Sequence, residues 1–447
     1  MIPLLSLLLV SIFTLDYLAV KLGVISNYFT LVPEFFSLLV ALIVIGRSIV
    51  LRNWEQPTHY VWVLVALFLV YMMGAVAQAV DPGPLIFGLR NYLKFFPLLF
   101  LPAVYNFSDK QLRYVLGVFL LLAALQVPLA YFQRFVQFAD RMHTGDPITG
   151  SVTVSSSLTM VLCLAIALVI TLYIHRKITL SLTLVLFCYL AAPTAINETK
   201  ATMLLLPVAT LGPFFLARGV EKKWRKAVPI LAICALGLVA FVSIYNTLIA
   251  ARWGGTGITD FFTGAGYEAY LYRGSEEGDL TYSIGRLDSM ILPVKVLADD
   301  WMQIMFGLGI GNVSPSSMAG MAGEHVEMGK ELGFGMTAIG NLIWETGVIG
   351  LAVYLFLFYL IWRDSRRCAQ VDIGSESSWY STWWSTCIVI FVFGLAYKSA
   401  LLLNELGYMV FFWSGVVASR YWRIRYGAEG SPALKSQKAP RLELAGR

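Results

Sequence analysis

The sequence predicts an all-α polytopic membrane protein of about twelve transmembrane helices, and three observations predict it. Only 13% of its 447 residues are charged and 58% are hydrophobic, whereas soluble domains carry about 25% charged residues. The mean hydropathy of +0.71 comes from apolar windows of about 20 residues that recur along most of the chain, the length a helix needs to cross a bilayer. Finally, the basic residues cluster in alternate connections, as loops held on the cytoplasmic side do. That pattern assigns the net charge of +6 to membrane topology and not to nucleic acid.

The first apolar stretch, "MIPLLSLLLVSIFTLDYLAV", has neither a basic n-region nor a small-residue cleavage site, so it reads as a retained span, 2–20. The others follow at 29–46, 60–80, 90–107, 113–133, 155–174, 179–195, 201–217, 227–250, 336–362, 383–403 and 407–422. On this map "HRK" (175–177), "RGVEKKWRK" (218–226), "RDSRR" (363–367) and the segment from "RYWRIR" onward share one side. That side carries 21 of the 33 Lys and Arg residues. With the long loop and the C-terminal segment set aside the split is 14 to 7, so both termini are expected in the cytoplasm. Residues 1–426 form the transmembrane domain, with 251–335 inserted as one large periplasmic loop between spans nine and ten. Residues 427–447, rich in Gly, Pro, Lys and Arg, read as a disordered cytoplasmic tail. The long loop holds a helical stretch, "SIGRLDSMILPVKVLADDWMQ", whose Met290, Ile291, Val294 and Val296 are expected to pack on the membrane face, and then a glycine turn, "FGLGIGN". No internal repeat and no broken mid-membrane helix is legible, which argues against a transporter.

Several basic residues lie on the outer side, against the charge bias: Arg90 with Lys94, Lys200 in "NETK", and Arg286. Each has a structural reading. Arg and Lys near helix ends snorkel to the interface, and Glu198 neutralises Lys200 if the two form a pair. Together they describe a surface suited to an anionic head group, with Arg as the fork for phosphate oxygens. His325 is the one histidine of the long loop, and His143 is a weaker outer candidate. Glu345, inside span ten, is an intramembrane carboxylate, expected to have a basic partner. Lys398 and Glu405 read as a private structural pair. Cys163, Cys188, Cys234, Cys368 and Cys387 form no motif with metal-ligand spacing, and the four histidines are scattered, so no metal or other cofactor is expected.

"GRLDSMILPVKVLADDWMQIMFGLGIGN" followed by "GNLIWETGVIGLAVYLFLFYLIW" resembles the signature region of the O-antigen ligase and O-antigen polymerase family. That region has an Arg opening a helix, a glycine turn, then a span with Asn, Glu and Gly at fixed spacing. "NETKATMLLLPVATL" resembles the outer turn that precedes it, and the likeness covers roughly 160 to 365. The resemblance implies a glycosyltransferase-C-like bundle in the bacterial inner membrane. It implies transfer of glycan from undecaprenyl diphosphate at the periplasmic face, without metal or nucleotide. Arg286 matches the helix-opening Arg, and Lys200 stands where an Arg usually stands, keeping the charge and losing the bidentate fork. Diphosphate binding therefore falls to Lys200, Arg286 and Arg90, and the catalytic candidates are Arg286, His325 and Glu345.

One departure bears on the reaction. Ligases of the family place a His directly before the Asn of the span-ten motif, and here Gly340 precedes Asn341. Either His325 or Glu345 replaces that base, or the acceptor needs no strong base. The resulting expectation is a polymerase of surface polysaccharide, with a chain-length regulator and a flippase as candidate partners besides membrane lipid. A ligase onto lipid or protein is the nearest alternative, and a polysaccharide transporter or flippase is the alternative of another class.

Overall fold

A computed structural model describes residues 1–51, 54–139, 147–197, 199–217, 220, 223–244, 246–247, 271–272, 284–316, 320–371 and 378–430. The fold is all-helical: no strand forms among the described residues. The helices are α1 (Ile2–Asp16), α2 (Val32–Leu51), α3 (His59–Ala77), α4 (Pro82–Leu93), α5 (Phe96–Val104), α6 (Asp109–Phe132), α7 (Ser155–Ile174) and α8 (Leu180–Ala191). They continue with α9 (Thr202–Leu216), α10 (Lys223–Ile244), α11 (Asp288–Leu297), α12 (Trp301–Phe306), α13 (Val326–Glu331), α14 (Ala338–Val371), α15 (Trp379–Tyr397) and α16 (Asn404–Gly430).

Every one of the twelve expected apolar segments coincides with a helix or with the α4–α5 pair. Among the described residues seven helices are long and apolar enough to cross a membrane, and α4 with α5 makes an eighth if the pair is one span. The chain is a multi-pass membrane protein. Its helix α7 is apolar on all sides and almost wholly buried, whereas α2 is largely exposed. A helix hydrophobic all round belongs in the interior, so α7 is the axis of the bundle, packed by α9 and α15, and α2 lies on its flank. At the end bearing the basic loops, helices are tied by charged groups. Arg423 reaches Glu55, the Asn106 side chain (2.6 Å) and the Pro102 carbonyl (3.0 Å). Asp364 accepts from Tyr60 and Arg363 and pairs with His59. The opposite end is called distal below.

Two membrane helices are broken, contrary to the sequence reading. Between α4 and α5 the axis bends by 48°. Pro97, in the first turn of α5, has no N–H for the Leu93 carbonyl, and its ring crowds that oxygen, so one continuous helix cannot form. In α14 the backbone at Gly347 takes φ 66° and ψ −170°, a region open essentially to glycine alone.

Within the described residues the long loop has an order of its own. Its helical stretch is two helices, α11 and α12. The buried stripe on α11 is Ser289, Pro293 and Leu297, spaced at i, i+4 and i+8, while Val294 and Val296 are exposed. Leu297, Leu308, Val313, Phe334, Ile343 and Trp344 then form a small core of their own beneath the loop. Helix α16 runs to Gly430, four residues into the segment expected to be disordered, and residues 431–447 lie outside those described.

Candidate functional site

The two sequence motifs of the long loop and span ten are one structural unit. In the glycine turn, Leu308 N–H donates to the Trp344 carbonyl at 2.8 Å. Gly307, with φ 75° and ψ −169°, lies so close to α14 that a Cβ there would meet the Glu345 carbonyl carbon at 2.5 Å. A Cβ on Gly347 would in turn meet Met305 backbone at 2.3 Å. Gly311 packs with equal closeness on Pro84 and Gly88 of α4. The turn is thus wedged between α14 and α4, and glycine is required because backbone meets backbone.

Glu345 secures this wedge. Its side chain is 1% exposed, and Oε1 accepts from the N–H groups of Gly311 (3.2 Å) and Ser314 (2.9 Å). Its partners are backbone amides and not the basic residue the sequence suggested. Below it the Tyr71 and Tyr354 hydroxyls meet at 2.5 Å, with the Tyr92 ring against both. These buried tyrosines were missed by sequence reasoning, since a Tyr in an apolar run gives no sign of its partner. Glu345→Ala is expected to leave two buried amides unpaired, at about 1–3 kcal/mol each. Glu345→Gln keeps a carbonyl acceptor and is expected to retain most stability and activity. Thermal unfolding in detergent beside product yield checks this; an inactive Gln variant of normal stability would instead make the carboxylate a chemical group.

Arg286, two residues before α11, stacks on the Tyr397 ring with its guanidinium carbon 4.4 Å from the centroid. Its Nε donates to the Tyr397 carbonyl at 3.2 Å. It is therefore held at the distal end of α15. Lys200 sits half-buried in the turn before α9, which packs on α7 and α15. That turn is pinned by Asn197, whose amide donates to the Ser155 carbonyl (3.2 Å) and to Thr159 Oγ1 (2.8 Å). The flanking hydroxyls of Thr199 and Thr202 are buried with no hydrogen-bond partner among the described residues. Glu198, the proposed mate of Lys200, lies outside the described residues, as does His143.

His325, half-buried, precedes α13, and its N–H donates to the carbonyl of Asn312 (3.1 Å), the last residue of the glycine turn. The absent histidine before Asn341 has a steric counterpart. A Cβ on Gly340 would meet the Ser289 carbonyl oxygen at 2.2 Å and Thr337 Oγ1 at 3.0 Å. Helix α11 therefore occupies the space a side chain there would need.

Arg90 belongs to a different place. It and Lys94 both bind Glu34 at the start of α2, Arg90 through Nε and Lys94 at 3.3 Å. The three line a distal cleft of about 970 Å³ with Asp16, Lys21 and Asn404. Arg286, Lys200, His325 and Glu345 are absent from its lining. Glu34 was the missing signal: a carboxylate opening an apolar span, whose partners lie about 60 residues on. Glu405 does not pair with Lys398 either; it is buried and accepts from the N–H (3.3 Å) and hydroxyl (3.2 Å) of Thr153. Among the described residues no group of three or more His, Cys, Asp or Glu side chains is placed to hold a metal ion. Comparison with protein-family models and with curated proteins finds no match for this chain.

Proposed function

We propose that this chain is a polysaccharide polymerase of the O-antigen ligase and polymerase type, a glycosyltransferase-C-like bundle of twelve spans in the bacterial inner membrane. In this reading the distal end faces the periplasm. A hydroxyl of one undecaprenyl-diphosphate-linked repeat unit attacks the anomeric carbon of another chain, and undecaprenyl diphosphate leaves. The observation that carries the reading is the arrangement of Arg286. A guanidinium fixed by the carbonyl and ring of Tyr397 stands at the entry to α11, from which the chain passes through α12 into the glycine turn locked on α14. Oriented cations of this kind stabilise charge developing on a leaving diphosphate. Lys200, flanked in sequence by two buried threonine hydroxyls in the turn before α9, supplies a second cation in this reading. The backbone filling the space at Gly340 weighs against the base-assisted ligase reaction. A flippase and a chain-length regulator are the partners such a polymerase works with.

Lys200 supplies the test. If it holds diphosphate, Glu198→Gln/Lys200→Ala is expected to be as inactive as Lys200→Ala, and Lys200→Arg to retain or raise polymer yield by restoring the fork. If Lys200 only balances Glu198, a contact worth about 0–1 kcal/mol at a wet surface, the double variant recovers yield. Yield is read at matched membrane levels. Mass spectrometry of lipid-linked glycans from a deletion strain separates the reactions: single repeats accumulate without a polymerase, and unattached full-length chains without a ligase.

A transport reading draws support from the two broken membrane helices, α4–α5 and α14, because transporters build binding sites at discontinuous helices. Purified protein that consumes lipid-linked repeats without an ion gradient excludes it.

A further inference from the structure

The wedge that Glu345 secures carries a negative charge that its hydrogen bonds do not balance. The first half of α14 ends at Gly347, where the backbone leaves the helix. Glu345 stands in the last turn of that half, and the last turn of a helix carries a partial negative charge of its own. A carboxylate there is disfavoured twice, by burial and by the helix end. Among the described residues no Lys, Arg or His side chain pairs with it; Oε1 holds the Gly311 and Ser314 amides. Two hydroxyls lie beside the carboxylate, those of Ser314 and of Tyr92 on α4. All three residues are buried. Glu345 Oε2, Tyr92 Oη and Ser314 Oγ each have no hydrogen-bond partner among the described residues. Three unpartnered oxygens, from α4, α14 and the segment after the glycine turn, thus face one negative point away from water.

We propose that Glu345 Oε2, Tyr92 Oη and Ser314 Oγ hold a sodium ion. Oxygen donors suit a hard cation, and the carboxyl end of a broken membrane helix is a place where sodium is coordinated. One carboxylate balances one positive charge, and among the described residues no cluster of carboxylates is placed to hold a divalent ion. The space is small, because Gly311 meets Pro84 and Gly88 of α4, and Gly307 meets α14, backbone to backbone. That closeness favours sodium over the larger potassium ion. The ion neutralises the buried carboxylate and ties α4, the glycine turn and the first half of α14 together. His and Cys spacing gives no sign of such a site, since its oxygens come from three separate segments. The proposal rests on the geometry of the wedge and not on the polymerase reading.

The test is the apparent melting temperature of detergent-purified full-length protein in sodium, potassium and choline chloride at equal ionic strength, which removes general salt effects. Polymer yield is not read, so failure here and failure of the proposed function remain distinct. Sodium is expected to raise the melting temperature of the unsubstituted protein by about 2–4 °C over choline, along a saturating curve. Potassium is expected to give a clearly smaller rise. Glu345→Gln keeps a carbonyl for the two amides and has no charge to neutralise. It is expected to melt near the unsubstituted protein in choline and to gain nothing from sodium. Tyr92→Phe removes one oxygen and is expected to need about tenfold more sodium for the same rise. Gly117→Ala, remote from the wedge, is expected to keep the full response. Equal melting in all three salts overturns the proposal, as does a sodium response that survives in Glu345→Gln or is unaltered in Tyr92→Phe. Melting that follows pH and not sodium would assign the neutralising charge to a proton, and overturns it as well.

Discussion

Gly347→Ala is expected to remove most folded protein from the membrane. The backbone conformation at this position costs a non-glycine residue about 1–3 kcal/mol. The added Cβ would also stand 2.3 Å from the Met305 carbonyl, and crowding of this kind costs about 1–3 kcal/mol more. Relief requires α12 to move away from α14, which loosens the bond from Leu308 to Trp344 and the hold of Glu345 on the turn. Gly117→Ala is the control: it lies within α6, with nothing inside 4 Å of its added Cβ, and alanine is the better helix former by about 1 kcal/mol. Apparent melting temperature and membrane abundance of the two variants, measured together, check the expectation. Equal behaviour would mean that the turn is not wedged against α14.

Arg286→Ala is expected to lower polymer formation roughly ten- to a hundredfold at normal protein level. A charge-assisted contact to phosphate contributes about 1.5–3 kcal/mol, and that difference appears in rate when it is realised in the transition state. Arg286→Lys is expected to fall between, since it keeps the charge but loses both the planar stack on Tyr397 and the fork. The measurement is polymer yield from matched membranes. Near-normal yield from the alanine variant would remove Arg286 from the site and leave it as a brace between α11 and α15.

Hydropathy along the chain was enough to establish a helical, multi-pass membrane protein and to place each expected span on a helix, although α4 begins well before its expected start and α14 and α16 run well past their expected ends. The reason is local: whether about 20 residues can leave water depends on those residues alone. The pairing of "FGLGIGN" with "NLIWETGVIGL" was also legible, as two motifs with fixed content. What they do to each other was not, because the contact runs between backbones some 35–40 residues apart. Tertiary structure alone decided the partner of each charge. Glu34 could have balanced Lys21 nearby, yet it binds Arg90 and Lys94, and Glu405 turned from Lys398 to Thr153. Such choices depend on how far each helix is rotated about its axis and how deep it sits. Those are set by packing across the whole bundle, where a shift of one residue, about 100° around a helix, puts a different side chain on the facing surface. The same packing placed α11 against Gly340 and gave Arg90 and Lys94 a common carboxylate in a cleft that Arg286 does not line. Sequence spacing records the order of the basic residues along the chain, and only the arrangement of the helices gives each its partner, Glu34 for Arg90 and Tyr397 for Arg286.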